Sequence, residues 1–92
     1  MPNFDLSNKI AIVTGGGTGI GRGIALALAQ AGADVVVASR KQANLDNAVE
    51  EIKALGRRSM AIVTDIRIPE QVSNMVKQTV DKFGRLDIMV NN

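Results

Sequence analysis

The sequence predicts an α/β fold, a doubly wound parallel sheet built from a β-α-β-α-β-α-β succession of elements. Uninterrupted apolar runs of strand length recur at intervals of roughly 25 to 30 residues, close to the length of one strand and its following helix. Segments with apolar side chains at spacings of three and four separate these runs. A glycine-rich turn directly after the first run indicates a strand that leads straight into a helix.

The apolar runs are expected to form buried strands. They contain many β-branched side chains and do not alternate with polar residues, which is typical of strands covered on both faces. The expected strands are residues 9–14, 33–38, 59–64 and 86–90. Right-handed crossovers between them lead to the strand order 3-2-1-4.

The intervening segments are expected to form helices. The first, from Ile20 to Ala31, is nearly all apolar and is expected to pack deeply before Gly32 ends it. The other two are expected to be amphipathic surface helices, the third with Pro69 near its first turn but Ile68 where a capping side chain is usual. Their apolar stripes comprise Leu45, Ala48, Val49, Ile52 and Leu55, and Val72, Met75, Val76, Thr79, Val80 and Phe83.

The composition indicates one globular domain over residues 1–92. With 46% apolar residues the chain is too hydrophobic for the disordered class. Its formal charge of +2 arises from 11 basic and 9 acidic residues that are interspersed, so no nucleic-acid-binding face is expected. No apolar run approaches the roughly 18 residues of a membrane span. The absence of Cys fits a reducing cytoplasm and excludes a thiolate metal site, and no metal ligands are assigned.

Gly15, Gly19 and Gly21 lie between the first strand and the first helix. The N–H groups and partial positive charge of a helix start attract an anion, and glycines let a pyrophosphate approach the backbone closely. The spacing is Gly-x-x-x-Gly-x-Gly, and no Gly-Lys-Ser/Thr of a P-loop is present. The turn therefore favours a dinucleotide site over a P-loop site, with glycines that serve only the turn and helix packing as the alternative.

The run from Thr14 to Gly21 resembles the Thr-Gly-x-x-x-Gly-x-Gly signature of the short-chain dehydrogenase/reductase family. Two further matches are Asp65-Ile66 after the third strand and Asn91-Asn92 after the fourth, and the resemblance covers essentially the whole chain. It implies a Rossmann-like fold and a contact between the Asp65 carboxylate and an adenine amino group. The cofactor-binding residues that it implies are Gly15, Thr18, Gly19, Ile20, Gly21, Asp65, Ile66 and Asn91.

Ser39-Arg40 at the end of the second strand bears on which dinucleotide is bound. An acidic residue at this place hydrogen-bonds the ribose 2′-hydroxyl of NAD. The Arg40 guanidinium can instead pair with a 2′-phosphate, and Ser39 can donate a further hydrogen bond. NADP is therefore favoured over NAD, with a solvent-exposed loop charge as the alternative for Arg40. Arg22 is a weaker candidate for cofactor contact. A methyltransferase-like fold for S-adenosylmethionine ranks last, because its usual acidic ribose contact is absent.

The resemblance implies an NADP(H)-dependent oxidoreductase that transfers hydride between the nicotinamide and a small carbonyl or alcohol substrate, as a homo-oligomer. Its Ser and Tyr-x-x-x-Lys have no counterpart here, and the chain contains no Tyr, so no catalytic residue is assigned. The chain is interpreted as the cofactor-binding half of such an enzyme, inactive alone and, with an open sheet edge, unstable or self-associating. The alternative is a non-catalytic nucleotide- or partner-binding module. Similarity leans towards 3-oxoacyl carrier-protein reductases and sugar or polyol dehydrogenases, and the substrate stays open.

Overall fold

The expected doubly wound α/β architecture is confirmed. The structure, a computed structural model, describes residues 5–92, so the first four residues of the expected domain lie outside it. A parallel four-stranded sheet has the order β3-β2-β1-β4, which is the predicted 3-2-1-4. The elements are β1 (Ile10–Thr14), α1 (Gly19–Gln30), β2 (Asp34–Ser39), α2 (Gln42–Ala54), β3 (Ser59–Val63), α3 (Pro69–Phe83) and β4 (Ile88–Asn91).

The strand register brings the carboxyl ends of all strands to one edge of the sheet. Thr14 at the end of β1 pairs with Ala38 of β2 and with Asn91 of β4. Ser39 at the end of β2 pairs with Val63 at the end of β3. Since the four strands are parallel and end level with one another, the segments that follow them lie side by side. This carboxyl edge is where an open α/β sheet places its ligand crevice.

Each face of the sheet has its own core, because alternate side chains of a strand point to opposite faces. On one face, side chains of β1 and β2 such as Val13 and Val37 pack against α1 and α2. On the other face, Ile12 and Val36 pack against α3, whose Met75 is fully buried. The two central strands are therefore buried on both sides, which explains why their sequences are continuously apolar.

Helix α1 is less buried than its apolar sequence predicts, so the expectation of deep packing was wrong. Its buried residues are Gly21, Ala25 and Ala29, at the four-residue spacing that places small side chains on one face. Ile20 on another face is 77% exposed. The small residues let α1 approach the sheet closely and leave the larger apolar side chains at the side or outside.

The expected apolar stripes of α2 and α3 are buried only in part: Leu55 is 41% and Val80 40% exposed, and the buried residues of α3 are Met75 and Thr79. Leu45, Ala48, Val49 and Ile52 are the buried residues of α2. Helix α3 begins at Pro69, and its preceding residue Ile68 provides no side-chain cap, as expected from the sequence. Instead, the N–H groups of Gln71 and Val72 donate to the Ile68 carbonyl at 3.0 and 3.2 Å. The start of α3 is therefore stabilised by backbone hydrogen bonds and not by a side-chain cap.

Two aspartates at the amino edge of the sheet hold neighbouring strands together. Asp34 accepts hydrogen bonds from the backbone N–H of Arg58 at 2.8 Å and from its Nε at 2.9 Å. Asp87 accepts one from the N–H of Ile10 at 2.9 Å and is also bound by Arg85. These side chains connect neighbouring strands at the edge opposite to the ligand crevice.

Over residues 5–92, no helix is long and apolar enough to cross a membrane. The same residues contain no cluster of three or more His, Cys, Asp or Glu side chains that could hold a metal ion.

Candidate functional site

A cleft of about 370 Å³ opens at the carboxyl edge of the sheet. Its walls come from the segments that follow the four strands, so residues far apart in sequence meet there. The lining residues are Thr14, Gly15, Ala38, Ser39, Arg40, Thr64, Asp65, Ile66, Arg67 and Asn92. The cofactor-binding residues expected from sequence that line it are Gly15, Ser39, Arg40, Asp65 and Ile66.

The glycine turn forms the floor of the site beside β1. The N–H of Gly15 donates to the Ala38 carbonyl at 2.7 Å, which fixes the turn to β2. Gly19, the first residue of α1, has a φ of +57°, and a side chain there would meet no other atom within 4 Å. A Cβ on Gly21 would overlap the carbonyl oxygen of Gly15 and lie 2.7 Å from Nδ2 of Asn92. The turn is thus packed tightly against α1 at Gly21, and the space around Gly19 is open.

The start of α1 is suited to an anion. The N–H groups of a first helical turn have no intrahelical acceptor, and they carry the positive end of the helix dipole. In the described part of the chain, Thr18 precedes α1, and its side chain makes no capping hydrogen bond to these N–H groups. Thr18, Gly19 and Ile20 are exposed and lie outside the cleft wall, whereas Gly21 is buried beneath it. A ligand that used the whole predicted set would extend from the cleft over this helix start.

Arg22 does not line the cleft. Its guanidinium forms an ion pair with Glu51 of α2. The structure therefore uses this weaker candidate to connect two helices.

The loop after β2 supplies a cationic group to the cleft. Arg40 is exposed and forms no ion pair within the described part of the chain. Ser39 accepts a hydrogen bond from the N–H of Lys41 at 3.4 Å, so its own hydroxyl hydrogen can be donated elsewhere. No carboxylate occupies the end of β2, since the strand ends at Ser39 and Arg40 and Lys41 follow.

Asp65, after β3, is held in place by several hydrogen bonds. Its carboxylate accepts from the N–H of Arg67 at 3.0 Å, from Nε at 2.9 Å and from Nη2 at 2.8 Å. Its own N–H donates to Oε1 of Gln71 at 2.8 Å. The Arg67 hydrogen bonds, with smaller effects from the charges of Arg67 and Arg40, lower the pKa of Asp65 to about 2. The group is therefore ionised across the physiological pH range.

The fourth wall of the cleft is Asn92, the residue after the predicted Asn91. Asn91 is the last residue of β4, both asparagines are exposed, and Asn92 lines the cleft. The N–H of Asn92 donates to Oγ1 of Thr14 at 3.2 Å. The Thr14 hydroxyl can donate to the Val90 carbonyl at 3.2 Å or to Oδ1 of Asn91 at 3.4 Å. The end of β4 is thereby joined to the end of β1.

The cleft residues that were not predicted as site residues are Thr14, Ala38, Thr64, Arg67 and Asn92. The Asp-x-Arg spacing of Asp65 and Arg67 was available as a signal, because a short turn can fold a guanidinium back onto a carboxylate two residues earlier. The motif Asn91-Asn92 likewise contains Asn92, so the sequence already indicated this residue.

Comparison with known proteins agrees with the fold. A family model described as short chain dehydrogenase matches residues 9–92. The chain belongs to the short-chain dehydrogenase/reductase family. It is 51% identical over 89 residues to an uncharacterised oxidoreductase of Mycobacterium tuberculosis, covering 97% of this chain and 34% of that protein. It is 42% identical over 88 residues to a peroxisomal 2,4-dienoyl-CoA reductase of Danio rerio, covering 95% and 29% of the respective chains.

Solved structures of short-chain dehydrogenases superpose closely on this chain. A hydroxysteroid dehydrogenase from Escherichia coli has a TM-score of 0.93 at 40% identity, over 98% of this chain and 38% of its own. A 7α-hydroxysteroid dehydrogenase in complex with NADH has the same TM-score and identity, over 98% of this chain and 35% of its own. The chain spans about a third of the length of the curated relatives it matches, at 34% and 29%.

Proposed function

We propose that this chain binds NADP(H) at the carboxyl edge of its sheet, in a short-chain dehydrogenase/reductase that acts on a small carbonyl or alcohol compound. The observation that carries the proposal is the position of Arg40 in the cleft, at the end of β2, where NAD-binding sheets of this type have a carboxylate. A guanidinium attracts a 2′-phosphate, whereas a carboxylate would repel it.

The residues present fit a dinucleotide. The cofactor's pyrophosphate would lie over the first turn of α1, where Gly19 leaves open space and the N–H groups have no intrahelical acceptor. Its 2′-phosphate would lie at Ser39 and Arg40, and its adenine beside Asp65 and Ile66. The packing of Gly21 against Gly15 leaves no room for a side chain, so the helix start stays close to the floor of the cleft.

When bound, the nicotinamide supplies hydride transfer to or from the substrate carbon. The residues of this chain bind and orient the cofactor, and none of them is assigned a catalytic role. The relative solved with NADH shows that a close structural neighbour takes a nicotinamide cofactor. For the present chain, the cationic end of β2 favours the phosphorylated form.

A second candidate is a nucleotide-binding module without catalysis. It is favoured by the absence of Tyr from the 92 residues, because the Tyr of the family's Tyr-x-x-x-Lys has no counterpart among them. The intact mass of the protein and a turnover assay with NADPH and a panel of carbonyl compounds distinguish the two. A mass far above 9.7 kDa together with turnover supports the enzyme.

We also propose a cytoplasmic homo-oligomer. The absence of Cys supports a reducing compartment, and membership of the short-chain dehydrogenase/reductase family supports association of the intact protein with copies of itself. Sedimentation of the protein measures the association state, and a monodisperse monomer would contradict that part of the proposal.

The experiment is to measure the affinities of NADP⁺ and NAD⁺ for the wild type and for Arg40→Asp by calorimetry. Hydrogen bonds to charged groups contribute about 1.5–3 kcal/mol, so the NADP⁺/NAD⁺ affinity ratio is expected to fall at least about tenfold. Lys53→Asp is the matched control, because Lys53 is exposed on α2 outside the cleft and the substitution changes the net charge equally. An unchanged ratio in Arg40→Asp would overturn the assignment of NADP.

A further inference from the structure

The cleft brings two guanidinium groups and one carboxylate together at the ends of adjacent strands. Arg40 follows β2, while Asp65 and Arg67 follow β3, and the ends of β2 and β3 are paired through Ser39 and Val63. All three charged side chains line the same cleft. Their formal charges of +1, −1 and +1 leave a net charge of +1 there.

The three groups are not paired equally. The Arg67 guanidinium binds both oxygens of the Asp65 carboxylate, through Nε at 2.9 Å and Nη2 at 2.8 Å. Such a two-point contact is the strongest arrangement of this residue pair. Arg40 makes no ion pair with any residue from 5 to 92. The carboxylate is thus occupied by Arg67, and Arg40 keeps its hydrogen-bond donors for a ligand.

This division of partners matters because Arg40 and Asp65 are close enough to interact. The positive charge of Arg40 contributes to the lowered pKa of the Asp65 carboxyl, behind the larger effects of Arg67. If Arg67 were absent, the ionised Asp65 carboxylate would lose its two-point partner. The nearest cation left in the cleft would then be Arg40, and the local net charge would fall from +1 to zero.

We propose that Arg67 is a positioning residue for cofactor selectivity: by occupying the Asp65 carboxylate, it keeps Arg40 available for an adenosine 2′-phosphate. The inference rests on the proposed binding of NADP(H). The inference makes two predictions that do not follow from a merely structural ion pair. Removing Arg67 must weaken NADP⁺ more than NAD⁺, and removing the competing carboxylate must reverse that loss.

The experiment measures NADP⁺ and NAD⁺ affinities for the full chain as wild type, Arg67→Gln and Asp65→Asn/Arg67→Gln. A unit charge a few ångströms away in a solvated site corresponds to about a fivefold effect, so Arg67→Gln is expected to lower the NADP⁺/NAD⁺ affinity ratio about fivefold. The double variant is expected to restore the ratio, because no carboxylate then competes for Arg40. Any contribution of Asp65 to adenine binding affects both dinucleotides alike and cancels in the ratio.

The matched control is Arg85→Gln. Arg85 binds Asp87 two residues away, through Nε at 2.9 Å and Nη2 at 2.6 Å, at the opposite edge of the sheet. This variant removes an ion pair of the same type without touching the cleft, and it is expected to leave the ratio at the wild-type value. A parallel drop in Arg85→Gln would show a general charge effect and would overturn the inference.

The outcomes separate this inference from the proposed function. A wild-type protein that binds NADP⁺ and NAD⁺ equally overturns the proposed function, and the inference with it. A wild-type preference for NADP⁺ that Arg67→Gln leaves unchanged, or that the double variant fails to restore, overturns the inference alone. The Asp65 carboxyl signal in an NMR titration adds an independent reading, because its pKa must rise in Arg67→Gln. A pKa that stays near the wild-type value of about 2 would also overturn the inference.

Discussion

Replacement of Gly21 by Ala tests whether the close approach of α1 to the glycine turn builds the site. Gly21 is buried in the first turn of α1. A Cβ at this position would overlap the Gly15 carbonyl oxygen and lie 2.8 Å from the Gly15 carbonyl carbon. These are backbone atoms, so no side-chain rotation can relieve the overlap. The helix start must move away from the turn, and the place proposed for the pyrophosphate moves with it.

The magnitude follows from comparison with Gly23→Ala in the same helix. Gly23 is exposed, and a Cβ there would meet no other atom within 4 Å. Ala is favoured over Gly inside a helix by about 0.5–1 kcal/mol, so Gly23→Ala is expected to stabilise the protein by that amount. Gly21→Ala has a similar helix gain but adds overpacking, which typically costs about 1–3 kcal/mol. The free energies of unfolding of the two variants are therefore expected to differ by about 1–3 kcal/mol.

The assay is urea unfolding of the wild type and both variants, followed by circular dichroism, with NADP⁺ binding measured on the folded proteins. Gly23→Ala is expected to bind as the wild type does, and Gly21→Ala is expected to bind more weakly. Equal stability and equal binding of the two variants would refute the reasoning, because the packing of Gly21 on Gly15 would then contribute nothing to the site.

Two further predictions concern the core and the pH dependence of stability. Ile52→Ala removes a fully buried side chain of α2 and is expected to lower the free energy of unfolding by about 2–5 kcal/mol. Leu55→Ala, at a position that is 41% exposed, is expected to lower it far less. Equal losses of the two variants in urea unfolding would contradict the packing of α2. The pKa of Asp65 is lowered from 3.8 to about 2, so its stabilising effect is complete above pH 3.8 and is lost as the pH falls through 2. Between these values the wild type is expected to lose stability more steeply than Asp65→Asn, and parallel slopes would show that the carboxylate is not selectively stabilised by folding.

The fold was predictable because its signals are local and repeated. The continuous apolar runs around Ile12 and Val36 indicate strands covered on both faces, and the predicted strands agree with β1 to β4 to within two residues at each end. The burial of α1 was not predictable in the same way. Its sequence is apolar on nearly every side, so periodicity could not show that Ala25 and Ala29 face the sheet while Ile20 faces outward.

The lining of the cleft was predictable where a motif fixes the position of a residue, and it was not predictable where tertiary contacts decide which residue lies at the wall. The glycine turn and the loop of Arg40 follow strands directly, so their place at the carboxyl edge follows from the parallel order. Whether Asn91 or Asn92 lines the cleft depends on the register between β1 and β4, which pairs Thr14 with Asn91 and leaves the next residue at the wall. The contact between Asp65 and Arg67 depends on the path of one loop, which no periodicity describes.

The most direct test of the account is to map NADP⁺ binding by backbone amide chemical shifts. Shifts are expected for residues 15–21, 39–40 and 65–66 and for Asn92, because they form the cleft and the helix start beside it. No shift is expected for Ser7, Gly32 and Arg57, which line a separate depression where strands begin. Saturable shifts confined to the first set would support the carboxyl edge as the dinucleotide site, and an absence of shifts there, or larger ones in the second set, would contradict it.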